Sequence, residues 1–190
     1  MSAEPPTAYA ETPEEWRAWL AAHHATERSV WLVYAKKSSG RARLTYAQAV
    51  CEALCFGWVD SIGRTLDAER TQLYFARRKP GSGWARTNKA RIEQLRRDGR
   101  MQPAGEAVIA AAVADGSWTL LDDVENLIVP PDLQEGFARF PGARDRWDAF
   151  PPSARRAMLD WLVHAKRPAT RARRIDQIAQ QASLGVRAYP

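Results

Sequence analysis

The sequence predicts an α+β fold, a small N-terminal β-sheet packed with helices followed by a helical C-terminal part. Three observations predict it. Three short runs rich in β-branched and aromatic residues fall before residue 77. Thr12-Pro13 and Thr45-Tyr46 open helical periods beside them, and beyond Trp84 the apolar spacing is helical throughout.

The elements follow in order. Thr12 caps a helix with Pro13 at its first position, Glu15 is placed to reach back to the cap N–H, and Trp16, Trp19 and Leu20 share one face. The helix ends near His23-His24, and Ser29 to Ala35 reads as a buried strand. Thr45 to Gln48 repeats the capping pattern, and Gly57 stops the helix it opens. Trp58 to Ile62 and Thr71 to Ala76 read as two further strands. From Trp84, a helix places Trp84, Asn88, Arg91 and Leu95 on one face until Asp98-Gly99, and Pro103 to Ala114 forms another. Residues 117 to 152 hold five prolines and read as a connector with one helix around Asp132 to Phe140. Helices Ser153 to Ala165 and Pro168 to Ser183 follow, with Met158, Trp161, Leu162, Ile175, Ile178 and Ala182 inward, and Tyr189-Pro190 reads as a frayed end. Two parts are expected, 1–116 as an α+β ligand-binding part and 117–190 as connector and C-terminal helical part.

Composition excludes several classes. No apolar stretch approaches the length of a membrane span, and Met1 to Ala10 lacks the cationic start and apolar run of a secretory signal, so a cytoplasmic protein is expected. Cys51 and Cys55, one helical turn apart, read as reduced core residues; they have no partner cysteines or paired histidines for a metal site and no base placed to activate a thiol. There is no phosphate-loop pattern around Gly40 and no cofactor motif. The net charge of +6 is uneven: residues 1–76 hold 8 basic and 9 acidic side chains, 77–100 hold 9 and 2, 101–150 hold 3 and 9, and 151–190 hold 8 and 2. Two basic blocks flanking an acidic one read equally as internal pairing or as a binding surface.

Val30-Trp31-Leu32 leading to Lys36-Lys37, the run Ala53 to Ser61, and Phe75 to Trp84 form a series with Asn88, Arg91, Gly99, Met101, Pro103 and the late run Ala165 to Ile175. Over residues 14 to 184 this series resembles the YdeI/OmpD-associated family of bacterial proteins, also labelled bacteriocin-protection. Ala85 departs from the serine expected beside the tryptophan. The resemblance implies a bacterial cytoplasmic protein tied by name to protection against toxic peptides or other stress, and it carries no established chemistry.

The candidate site is therefore read from the residues. Asp60, following Trp58 on a strand, is an acid, base or fixed acceptor, or else a salt-bridge partner of Arg64 or Arg78. Arg77, Arg78 and the Pro80 to Gly83 loop lead into a helix start, a place that favours anions. Trp84, Asn88 and Arg91 would add an aromatic face, an amide and a guanidinium, giving a site of Trp58, Asp60, Arg77, Arg78, Trp84, Asn88 and Arg91 with no metal. The leading expectation is a stress- or toxin-protection protein that binds a small anionic or aromatic ligand in a Trp/Arg-lined pocket. An enzyme with Asp60 as general acid or base and Arg77, Arg78 and Arg91 as anion stabilisers is the second. A nucleic-acid module using Lys166, Arg167, Arg171, Arg173 and Arg174 is the third, because a solvated face is the first reading of that cluster, the acidic block would repel phosphate over part of the surface, and most tryptophans sit at core-facing periods.

Overall fold

Strand pairing within residues 7–77 and helix packing beyond them give an α+β fold. The structure is a computed structural model that describes residues 4–41 and 44–188. The reading of Tyr189-Pro190 as a frayed end lies outside the described residues. Strand β1 (Thr7–Tyr9) pairs in parallel with β2 (Ser29–Ala35), and helix α1 (Pro13–His23) connects them. Thr12 Oγ1 accepts the Glu15 N–H at 3.2 Å as the capping pattern requires. The Glu15 carboxylate receives the N–H of Glu11 at 2.7 Å, one residue before the expected cap. Helix α2 (Tyr46–Cys55) has the full reciprocal box between Thr45 and Gln48, and it ends where Gly57 takes a φ of +74°.

Strands β3 (Trp58–Thr65) and β4 (Arg70–Arg77) form an antiparallel hairpin, and the sheet order is β1-β2-β4-β3. The first of these runs three residues past the expected Ile62, through a register shift between Asp60 and Gly63. Val30 lies opposite Phe75 and Leu32 opposite Leu73, all four buried, which defines an inner face. Trp16 closes that face: its ring lies 5.2 Å from Phe75 and 5.3 Å from Trp19, and its indole N–H donates to the Ala49 carbonyl at 3.1 Å. Burying an indole while satisfying its one donor ties α1 to α2 above the sheet.

Helix α3 (Arg86–Arg97) is followed by α4 (Pro103–Ala114). Its start corrects the expectation that Trp84 opens the helix, since that residue precedes the first turn. Helix α4 approaches α2 at Gly105, where an added Cβ would lie 2.3 Å from the Cys55 carbonyl oxygen. Only glycine permits so close a helix contact.

The chain divides into two compact units, Met1–Ser82 with Thr87–Trp118, and Gly83–Arg86 with Thr119–Pro190. In the second unit the expected connector is mostly helical: α5 (Asp122–Glu125), α6 (Pro131–Ala138) and α7 (Ala143–Asp148) precede α8 (Pro152–Val163) and α9 (Pro168–Ser183). Leu133, Phe137, Trp147, Met158, Leu162 and Ile178 form its core. Trp161, expected inward, packs only half-buried against that core.

Candidate functional site

Asp60 stands on the inner face of β3, two residues beyond Trp58 and opposite Phe75. Because α2 reverses at Gly57 and packs on β3, the first residue of the helix returns to the strand. Tyr46 donates its phenolic hydrogen to Asp60 Oδ2 at 2.7 Å. Burial, and then this bond to a carboxylate, push the Tyr46 hydroxyl up to about 12, with the Arg91 guanidinium pulling the other way. Tyr34 is raised as well, by burial and by the charge of Asp60. Arg78 is half-buried, and the loss of hydration brings it down to about 10 against the favourable charge of Asp60. On α3, Arg91 Nη1 donates to Asn88 Oδ1 at 2.8 Å, one turn away.

Asp60, Arg78 and Arg91 thus belong to one electrostatic cluster, Asn88 supports it by holding Arg91, and the two tyrosines complete it. Tyr34 also lines a pocket of about 280 Å³ with Tyr9, Val33, Arg41, Glu69 and Arg70. The other candidates are placed differently. Trp58 is 1% exposed and packs edge to face on Trp19 at 6.0 Å. Trp84 is also 1% exposed, and its segment Gly83–Arg86 groups with the second unit. Arg77 Nε donates to the Glu27 carbonyl at 2.7 Å, where Arg77 is exposed. The two tryptophans are core residues, so the aromatic groups at the cluster are tyrosines.

Tyr34 and Tyr46 escaped the sequence reading, although one signal for Tyr46 exists. The ten residues of α2 rise about 14 Å, and the five residues from Cys55 to Asp60 cover a similar length when extended, roughly 13–17 Å. A reversal at Gly57 therefore brings position 46 back to position 60. Glu52 also went unnoticed. It is buried, with Arg17 Nη1 at 2.9 Å and Arg100 on its other oxygen, while Arg17 Nη2 donates to the Arg100 carbonyl at 2.8 Å. Two guanidinia on one carboxylate satisfy the charge that burial would otherwise penalise. Cys55 is buried and free, whereas Cys51 is free but only half-buried, short of the full burial expected. Burial pushes both thiols up, which keeps them protonated at neutral pH.

The C-terminal basic cluster is partly structural. Arg171 grips Asp132 with two bonds, of 2.5 and 2.9 Å, and Arg174 lies over the Trp161 ring at 4.7 Å, while Lys166, Arg167 and Arg173 are exposed. Among the described residues no group of three His, Cys, Asp or Glu is arranged to hold a metal, and no helix is long and apolar enough to cross a membrane.

Residues 8–108 match the model of a domain of unknown function (DUF8412), and residues 126–185 match the model of a family described as Bacteriocin-protection, YdeI or OmpD-Associated. All seven sequence-predicted site residues lie in the first match, and the run Ala165 to Ile175 lies in the second. The resemblance read over residues 14 to 184 is thus divided between two family models. No curated protein and no solved structure matches the chain.

Proposed function

We propose that this chain, which belongs to the DUF8412 family over residues 8–108 and carries a Bacteriocin-protection, YdeI or OmpD-Associated segment over residues 126–185, is a bacterial cytoplasmic binding protein. Its ligand is a small anionic molecule with a planar face, held at Tyr34, Tyr46, Asp60, Arg78 and Arg91, and its service is protection against a toxic compound. The carrying observation is the 2.7 Å bond from Tyr46 to Asp60 with Arg91 in electrostatic reach of both the phenol and the Cys51 thiol. A fixed carboxylate orients the phenol, the half-exposed ring offers a flat apolar surface, and a guanidinium supplies two donors in one plane for a carboxylate or phosphate. The protective role is supported only by the family description of residues 126–185.

Binding is favoured over turnover by the chemistry of the cluster. A phenol held at about 12 is neither an efficient acid nor a base near neutrality, and Asp60 already accepts its hydrogen bond. Calorimetric titration with aromatic carboxylates, aryl phosphates and their neutral amide analogues tests this reading. The anionic aromatic compounds should bind and the amides should not, with Arg91→Gln weakening binding by about tenfold, as for loss of one charge-assisted pair. Equal binding of anions and amides, or an unchanged affinity in Arg91→Gln, would refute it.

A further inference from the structure

Helices α1 and α2 occupy the inner face of the sheet, and the strand register fixes what the opposite face carries. Trp31 lies opposite Tyr74, Val33 opposite Gln72, and Arg64 on the far side of Gln72, while Thr7 and Tyr9 flank Trp31 and Val33 on β1. Trp31 and Tyr74 meet edge to face with centroids 5.0 Å apart, and the Arg64 guanidinium lies 4.0 Å from the Trp31 centroid. Both aromatic residues are half-buried, Arg64 is exposed, and Tyr9 is 68% exposed. Asp60 belongs to the inner face, and no outward strand position carries a carboxylate. Acids border this face at one end: Glu11 and Glu15 line a pocket with Tyr9 and Val33, and in the β3–β4 turn Asp67 holds Arg70 and Glu69 holds Arg41. Arg64 has no carboxylate partner among the described residues.

Interior packing does not account for a tryptophan, a tyrosine and an arginine assembled on the face turned away from the helices. We infer that this face is a stacking platform for single-stranded nucleic acid. Every base has a π-face, and because Arg64 lies over the Trp31 ring, the guanidinium plane backed by Trp31 and the neighbouring Tyr74 ring supply two surfaces on which successive bases can stack. Arg64 also gives the platform a positive charge that no carboxylate among the described residues pairs with, matching a phosphate backbone. A duplex does not suit the site, because its base faces are already stacked on one another and a broad sheet face does not enter a groove as a helix or a two-stranded ribbon does. The platform lies across the sheet from Asp60, so it stands or falls independently of the ligand site proposed above. It also differs from the C-terminal arginines, two of which are engaged by Asp132 and Trp161.

Fluorescence anisotropy of labelled oligouridylate and oligothymidylate of about 12 nucleotides, a length suited to such platforms, provides the test with the whole chain, alongside a duplex of the same length. Single strands should bind and quench tryptophan emission, and the duplex should bind more weakly. Trp31→Ala and Tyr74→Ala should each weaken single-strand binding by roughly tenfold. Arg64→Gln, at an exposed position that leaves the fold intact, should weaken it too and reduce the salt slope by about 0.7. A Lys166→Gln, Arg173→Gln double variant should bind as the wild type does. Absence of single-strand binding at low salt, equal affinity for the duplex, an unchanged affinity in Arg64→Gln, or loss in the Lys166/Arg173 variant would overturn the proposal.

Discussion

Tyr46 keeps its proton in the folded chain because ionising it would place a phenolate in a partly dehydrated site against the Asp60 carboxylate. The folded value of about 12 exceeds the ordinary 10.0, so the contribution of this group to stability is complete below pH 10. It is lost as the pH rises from 10 towards 12. Ultraviolet titration of tyrosinate should show a late-ionising tyrosine that returns towards the ordinary value in Asp60→Asn; a tyrosine set unchanged by that substitution would separate the two groups. Asp60 itself was legible, as a carboxylate set into a tryptophan-containing strand. Its partners were less so: Tyr34 meets it only through the register of β2, which leaves no mark in the spacing of the chain, and the matched lengths on either side of Gly57 point to Tyr46 only once the chain is known to reverse there.

At the scale of elements, Gly105 decides how closely two helices can approach. Alanine there would raise the intrinsic helix propensity of α4 by about 1 kcal/mol. The added methyl would also meet main-chain oxygens, 2.3 Å from that of Cys55 and 2.9 Å from that of Leu54, which cannot rotate aside. Overpacking of this kind costs roughly 1–3 kcal/mol and here exceeds the propensity gain. Gly105→Ala should therefore lower the melting temperature by several degrees, at about 2–4 °C per kcal/mol for a chain of this size. A melting temperature equal to or above the wild type's would show that the helices can separate at little cost. Elements with strong local signals were readable: the caps at Thr12 and Thr45, the strands at Ser29 and Thr71, and the ends of α4 and α9. Strand β1 was not, since three residues held by parallel main-chain bonds to β2 have no pattern of their own. The helices α5 and α7, of four and six residues, are too short to establish a period, and packing around Trp147 sustains the latter.

For the whole molecule, the uneven charge resolves partly into internal pairing. Asp132, Glu125 and Asp148 of the acidic block meet Arg171, Arg156 and Arg155 of the C-terminal basic block, and Asp176 meets Arg139. Most of these pairs are exposed enough that each contributes little, about 0–1 kcal/mol. The chain's route has larger effects. Gly83–Arg86 belongs to the second unit although the residues on both sides belong to the first, and a Cβ on Gly83 would press against the Leu121 side chain. A fragment of residues 1–118 therefore retains Trp84 without the unit in which it is grouped. Its tryptophan emission should be red-shifted relative to the whole chain, with the shifted component removed by Trp84→Phe. A fragment whose Trp84 remains shielded from iodide quenching would contradict that assignment.

The same route sets an order in time. A ribosome delivering about 5–20 residues per second takes roughly 2–7 s to proceed from Trp84 to Leu121. During synthesis Gly83 emerges well before Leu121, the side chain it lies against in the folded chain, while the strands that precede it can already pair. Until then the Gly83–Arg86 segment has been made while the rest of the unit it belongs to has not.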